Sequence, residues 1–266
     1  MRAQIERRPP PGPVATAVRW IVDPPARGAW NMAVDVALAR SAEARGSVAV
    51  RLYGWAPPCL SFGRHQPTAG RYDATRLHAH GIDVVRRPTG GGAVWHEDEV
   101  TYAVAVPARA WGGPRATCRL VHAAILEGLR ALGVPARAAS CRARVPPGGA
   151  CFAIPAEGEI VIGDRKVVGS AQARIGGALL QHGSILIGGD QTLAESDADV
   201  SAGAPATLAS ALGVRPARDD VRGALATAFR AALGLELIPE ALDEDERERA
   251  ALELARFLDP AWTWRR

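Results

Sequence analysis

The sequence predicts an α+β fold, a mixed and largely antiparallel sheet flanked by helices. Three observations carry this expectation. Residues 82–107 and 158–188 each alternate short apolar runs with glycine-bearing turns, the pattern of antiparallel meanders. Residues 30–45 and 114–133 have helical periodicity. After Gly189 the strand pattern gives way to helical segments.

In chain order, residues 1–16 are rich in proline and polar groups and read as a disordered tail, and residues 17–266 as one domain. Val18–Val22 reads as a strand, followed by a Pro/Gly turn. Trp30–Arg45 reads as a helix, with Asn31 as its cap and Met32, Val36 and Ala39 beside Ala33, Ala37 and Arg40 at helical spacing. Ser47–Trp55 is a strand, and Cys59–Gln66 a short apolar strand with a polar end. Tyr72–His80 is a helix that Gly81 stops in the left-handed conformation. Ile82–Pro88 is a strand turned by Thr89–Gly92; Ala93–His96 continues outward and Thr101–Pro107 returns.

Pro114–Gly133 carries an amphipathic helix with Leu120, Ala124, Leu129 and Leu132 toward the core, and 135–150, rich in Arg, Pro and Gly, reads as loop. GEIVI, KVVGSAQAR and ALLQHGSILIG form the second meander. The tail (about 206–258) reads as helices Ala206–Leu212, ended by Gly213, Asp219–Leu233, capped by Asp219, and Asp243–Leu258, with no strand between them. Asp243/Arg247 and Asp245/Arg249 are i,i+4 pairs, and Trp262 and Trp264 are expected to pin the end of the chain to the body.

Hydrophobic residues make up 48% of the chain and aromatics 5%, so a sizeable core is built mostly from Ala, Val, Leu and Ile. No apolar run approaches the roughly 20 residues needed to span a bilayer, and the start lacks a signal core. A cytoplasmic location without membrane attachment is expected. Cys59, Cys118, Cys141 and Cys151 show no CxxC pair or metal-like spacing, so reduced thiols and no metal are expected. The net charge of +4 comes with no clustered basic patch, so no nucleic acid is expected. Neither GxxxxGK[ST] nor GxGxxG occurs, and no cofactor is expected.

Of 32 Lys plus Arg residues only Lys166 is a lysine. Arginine stays protonated, whereas a lysine amine can lose its proton. A lysine kept in such a background is either a chemical group or a remnant of coding bias. Cys151 follows Gly148-Gly149-Ala150 at the end of a loop. A lysine ammonium near a thiol favours the nucleophilic thiolate, and a Cys–Lys pair suits acyl transfer through a thioester. Gly90-Gly91-Gly92 is either a loop laid against a ligand or an unusual hairpin turn, with two cations, Arg86 and Arg87, just before it. His96, with Glu97 and Glu99 beside it, is an acid–base group or a turn histidine. His182 faces the site or is buried and hydrogen-bonded.

RRPTGGGAVWHEDEVTYAV (Arg86–Val104) resembles the substrate loop of the lipoate-protein ligase and octanoyltransferase group, which shares a fold with biotin protein ligases. GDRKVVGSAQAR (Gly163–Arg174) resembles that group's lysine motif, and WNMAVDVAL, VRLYGWAPPCLSFGRHQ and LLQHGSI fit as well. The resemblance runs from about Arg19 to Arg266 and implies the biotin/lipoate protein ligase catalytic fold. ACF before the lysine strand, SAQ and LLQHGSI resemble the cysteine-dependent octanoyltransferases of lipoate biosynthesis. The GRGRxGR loop of biotin ligases is missing.

The resemblance implies that Cys151 takes the octanoyl group from octanoyl acyl carrier protein as a thioester and that Lys166 polarises the carbonyl and tunes proton transfer. The acceptor is then a lysine of a lipoyl carrier, such as the glycine-cleavage H protein or the lipoyl domain of a 2-oxoacid dehydrogenase. Gly90, Gly91 and Gly92 lie along the acyl chain. Arg87, His96, Gly169, Ser170, Ala171 and His182 complete the expected substrate site. Two related activities share these motifs: ATP-dependent lipoate ligation, and transfer of octanoyl or lipoyl between carrier proteins. The chain departs from the octanoyltransferase pattern at Gly92, commonly Arg, and at Gly158, where an aromatic is expected.

Overall fold

An eight-stranded sheet carries the fold, with helices on both faces and a three-stranded sheet beside it. The computed structural model describes residues 17–140, 151–152, 155–194 and 204–265. The proline-rich start, Cys141 and the rest of 141–150 lie outside them.

The first half of the chain supplies β1 (Ala17–Val22), α1 (Gly28–Arg45), β2 (Ala49–Tyr53), β3 (Cys59–Phe62), α2 (Ala74–Ala79), β4 (Asp83–Arg86), β5 (Val94–His96), β6 (Glu99–Pro107) and α3 (Pro114–Ala131). The second half supplies β7 (Ala136–Ala138), β8 (Ile160–Ile162), β9 (Arg165–Ile175), β10 (Ala178–Leu186), α4 (Leu208–Leu212), α5 (Arg218–Leu233), β11 (Glu236–Pro239), α6 (Glu244–Leu258) and α7 (Pro260–Thr263). The large sheet runs β11–β1–β2–β6–β10–β9–β8–β7. β1 is parallel to β2 and β11, and the other neighbours are antiparallel. The expected mixed, largely antiparallel sheet is therefore present.

Alternation along β6 divides the core. Tyr102, Val104 and Val106 join Ile125 and Leu129 of α3 and Leu225 and Phe229 of α5 on one face. Ala103 and Ala105 join Met32, Val36 and Ala39 of α1 on the other, with Ala250 and Phe257 of α6 behind. Their small side chains let α1 lie close to the sheet. Helix α1 is also covered by the small sheet, and Asn31 to Ala39 are buried without a break. A Cβ on Gly28 would meet Cys59 Sγ at 2.7 Å and Val85 Cγ1 at 2.9 Å, so glycine lets α1 start against β3 and β4. Each fully buried Leu or Phe contributes roughly 1.5–3 kcal/mol.

Several local expectations change. The first meander is divided between two sheets: β4 and β5 each pair with β3, which lies between them, while β6 joins the large sheet. Alternation marks a strand but not its partner. The second meander forms as expected, β8 to β9 to β10. Two edge strands appear where none was expected. β7 lies in the arginine-rich stretch, and β11 lies between the tail helices, with only Leu237 buried and Pro239 at its end. Edge strands tolerate proline and charge because one side needs no ladder bonds.

Asn31 does not cap α1; it sits in the first turn, and its amide donates to the Ala26 and Gly54 carbonyls at 3.1 and 2.9 Å. Arg40 is exposed, because the buried faces meet at other positions. Ala217, not Asp219, is the N-cap of α5. Asp243 forms a capping box with Glu246 and pairs with Arg45 rather than Arg247; Asp245 pairs with Arg249 at 2.9 Å. Gly213 ends α4 with a left-handed conformation. At the C-terminal end, Trp262 Nε1 donates to the Arg86 carbonyl at 2.9 Å, and Trp264 meets Phe62 edge-on at 5.5 Å.

Candidate active site

Cys151 lies where the two sheets meet. Its backbone N–H donates to the Ala93 carbonyl at 2.9 Å, which ties it to the strand after the three glycines. The β9 register places Lys166 opposite Val161. From there the buried Lys166 Nζ reaches Cys151 Sγ at 3.6 Å and donates to the Cys151 carbonyl at 2.8 Å and to Glu159 Oε1 at 2.7 Å. The Phe152 ring is 5.5 Å from the same ammonium. Burial opposes the charge on Lys166, but Cys151 and Glu159 beside it outweigh that and raise its pKa. The lysine is therefore an ammonium at neutral pH.

A cleft opens beside Cys151. Met32, Tyr53, Trp55 and Val94 give it apolar walls, while Arg87, His96, Thr101, Ser170, His182 and Ser184 give it polar ones. Gly169, Ala171 and Gly183 keep it open. A Cβ on Gly169 would lie 2.9 Å from the Phe152 ring and 3.5 Å from Cys151 Sγ.

Two buried histidines in the cavity wall are held in one orientation each. His96 stacks on Trp55 at 3.9 Å between ring centroids. Its Nδ1–H donates to Glu99 Oε1 at 2.8 Å, and Nε2 accepts from the Ser61 hydroxyl at 2.5 Å. Ser61 in turn accepts from Arg87 at 2.6 Å. Burial outweighs the attraction of Glu99 and lowers the His96 pKa, so the ring is neutral. His182 Nδ1–H donates to Asp35 Oδ2 at 2.9 Å, and Nε2 accepts from the Thr89 hydroxyl at 2.6 Å. Asp35 is also bound by Arg51 at 2.9 Å and by the Tyr53 hydroxyl at 3.0 Å. Each imidazole has one donor and one acceptor partner, which fixes its tautomer.

The glycine loop is held from below. Arg87 donates to the Gly90 and Gly92 carbonyls at 3.2 and 2.8 Å and to the Ser61 carbonyl at 2.8 Å. Gly91 has φ +93°, and a Cβ there would lie 3.4 Å from Arg87 Nη2 and 3.9 Å from Cys151 Sγ. Gly63 passes beneath it: a Cβ on Gly63 would be 1.8 Å from the Gly91 carbonyl oxygen.

The structure thus brings Cys151, Lys166, Arg87, His96, Gly169, Ser170, Ala171 and His182 to one place. Gly90, Gly91 and Gly92 cover Arg87 and approach Cys151 but are not among the cavity's lining residues. Gly158 stands in the turn before β8 with φ +82°, a conformation glycine adopts without strain. Sequence reasoning missed Glu159, Asp35, Ser61, Thr89 and Trp55. Asp35 had a readable signal, a lone acid in the apolar run AVDVAL. The others owe their place to pairings between distant strands.

Residues 27–229 match the family model "Lipoyl protein ligase A/B catalytic domain". The chain belongs to that family. It is an acyltransferase, and Cys151, Lys166, His96 and His182 all fall within the matched span. An octanoyltransferase LipM of Symbiobacterium thermophilum is 38% identical over 261 residues, covering 90% of this chain and 95% of that protein. A lipoate-protein ligase A bound with ATP shares the family fold, with a TM-score of 0.79 at 23% identity over 93% of this chain and 98% of that one. A bipartite lipoate protein ligase of Thermoplasma acidophilum, described with its E2 lipoyl domain, has a TM-score of 0.77 at 22% identity over 94% and 97% of the two chains.

Proposed function

We propose that this family member transfers an octanoyl group from octanoyl acyl carrier protein to a lysine of a lipoyl carrier protein, through a thioester on Cys151. The observation that carries this is the 3.6 Å approach of Lys166 Nζ to Cys151 Sγ at the mouth of a partly apolar cavity. The identity to curated octanoyltransferases supports the choice of acyl group.

In the first step Cys151 Sγ, as thiolate, attacks the thioester carbonyl of the donor. A new C–S bond forms, the bond to the carrier's prosthetic thiol breaks, and that thiol leaves as a thiolate that takes a proton from the Lys166 ammonium. The Lys166 ammonium stabilises negative charge on Sγ and donates a hydrogen bond to the carbonyl oxygen as it becomes an oxyanion. The octanoyl chain lies in the cavity between Met32, Tyr53, Trp55 and Val94. In the second step the acceptor lysine amine attacks the Cys151 thioester, its proton passes to the Lys166 amine, and the C–S bond breaks with Cys151 leaving as thiolate, which restores the starting pair. A thioester is activated enough to form an amide, so this route consumes no ATP.

The test is the intact mass of the protein mixed with octanoyl acyl carrier protein without ATP. The expected result is a gain of one octanoyl unit, labile to hydroxylamine and absent in Cys151→Ala. No adduct in the wild-type protein, or the same adduct in the variant, would overturn the proposal.

A further inference from the structure

His122 of α3 lies on the sheet face opposite α1, behind the part of the cavity wall that Ser170 lines. Its Nδ1 lies 2.9 Å from the Gly158 carbonyl, which can only accept, so Nδ1 carries the proton. Nε2 lies 2.9 Å from Ser170 Oγ and accepts from it. The Tyr102 hydroxyl donates to Ser170 at 2.6 Å and accepts from Gln181 at 3.3 Å. Gln181 accepts from Gln172 at 2.7 Å, and the same amide reaches the Pro114 carbonyl at 3.1 Å. Every donor in this chain meets an acceptor only if His122 is neutral.

The chain ends on a turn that matters. Gly158 precedes Glu159, whose Oε2 accepts from the Ala156 N–H at 2.7 Å and whose Oε1 accepts from Lys166 at 2.7 Å. Ser170 lies on β9, the strand that carries Lys166. His122 therefore bonds both the turn that carries the carboxylate and the strand that carries the ammonium.

We propose that His122 is a positioning residue for the Cys151–Lys166 pair: as a neutral imidazole it fixes, through the Gly158 carbonyl, the turn that brings Glu159 to the Lys166 ammonium. The groups facing it are Cys118 on its own helix, Tyr102 on β6, Lys166 on β9 and Glu159 before β8. Burial lowers its pKa and favours the neutral form. The consequence for catalysis rests on the acyl transfer proposed above, whereas the geometric link does not.

The test reads the pair without acyl transfer, as the rate of Cys151 alkylation by iodoacetamide at pH 7, resolved from the other cysteines by peptide mass. His122→Ala frees the turn, and Lys166 follows Glu159 away from the sulfur. The rate falls about tenfold, equivalent to about 1.4 kcal/mol. His122→Asn keeps a donor toward Gly158 and restores most of the rate. In a Glu159→Gln background, His122→Ala changes the rate by less than about twofold, because the two act through one link. Should His122→Ala fail to fold, His122→Leu, which fills the space, is read in its place. An unchanged rate in the folded variant, an equal loss in His122→Asn, or additive losses with Glu159→Gln would overturn the proposal. In octanoyl transfer kcat falls with KM within about twofold. A wild-type protein that alkylates as described but forms no octanoyl adduct refutes the acyl-transfer proposal and leaves this one standing.

Discussion

Lys166 Nζ stands 2.8 Å from the Cys151 carbonyl oxygen, 3.6 Å from its sulfur and 2.7 Å from Glu159 Oε1. One ammonium thus holds the backbone, the thiol and the carboxylate of two separate segments, and four sets of outcomes depend on arrangements of this kind.

Lys166→Arg keeps a charge but loses a group that can exchange its proton, and a planar guanidinium does not fit the three acceptors around Nζ. Acyl-enzyme formation is expected to fall at least about a hundredfold. Lys166→Met also removes the charge and leaves Glu159 without its ammonium partner. Stopped-time mass spectrometry of the octanoyl adduct checks both, and rates near wild type for Lys166→Arg would remove the proton-transfer role.

Gly63→Ala places a methyl group 1.8 Å from the Gly91 carbonyl oxygen, where neither backbone has room. The glycine loop must shift away from Arg87 and Cys151. The melting temperature is expected to fall, by about 1–3 kcal/mol of stability, and octanoyl transfer to fall with it. Gly90→Ala is the control, since nothing lies within 4 Å of its added Cβ. Equal stability in the two variants would contradict the packing described.

Asp35→Asn removes the charge that Arg51, Tyr53 and His182 share in the buried layer beneath the cavity. Arg51 keeps Asp23 at 2.6 Å, so the loss is that of one partner of a buried pair, about 3 kcal/mol by chemical denaturation. An amide at this position can donate to His182 Nδ1, which moves the proton to Nε2 and reverses the bond with Thr89, whose hydroxyl then accepts. The NMR tautomer signature of His182 would reverse; an unchanged signature would show that Asp35 does not set it.

His96 and His122 both have pKa values lowered by burial. In each case the unfolded chain binds a proton that the folded chain refuses, between the unfolded value near 6.5 and the lower folded value. Their contribution to stability is complete above about pH 6.5 and is lost as pH falls below it, at up to about 1.4 kcal/mol per pH unit for each group. Thermal melts from pH 7.5 to 5 should show this decline, reduced in His96→Gln. Lys166 has the opposite sign. Its raised pKa gives stability below its unfolded value near 10.5, lost as pH rises through the folded value.

Much of the site was legible in the sequence because its parts are written in continuous motifs. The sole lysine, the cysteine after a glycine-rich stretch and the glycine triplet announced themselves by type and setting. Glu159 did not, because an acid in a turn is common and only the bond to Lys166 sets it apart. His122 gave no signal either: on an amphipathic helix it looks like any half-buried polar residue, and its partners Gly158 and Ser170 are 36 and 48 residues away.

The sequence by itself determined the six inner strands of the large sheet, the helices on its faces and the residue types of the candidate site. Those follow from periodicity and composition, which are local. The tertiary structure alone decided that β3 lies between β4 and β5, that β7 and β11 form the sheet's edges, and that Asp35, Glu159 and His122 are hydrogen-bonded to His182, Lys166 and the Gly158 carbonyl. Strand partners and buried hydrogen bonds are chosen by the packing of distant segments, where unpaired polar groups are costly. No single stretch of chain records that choice.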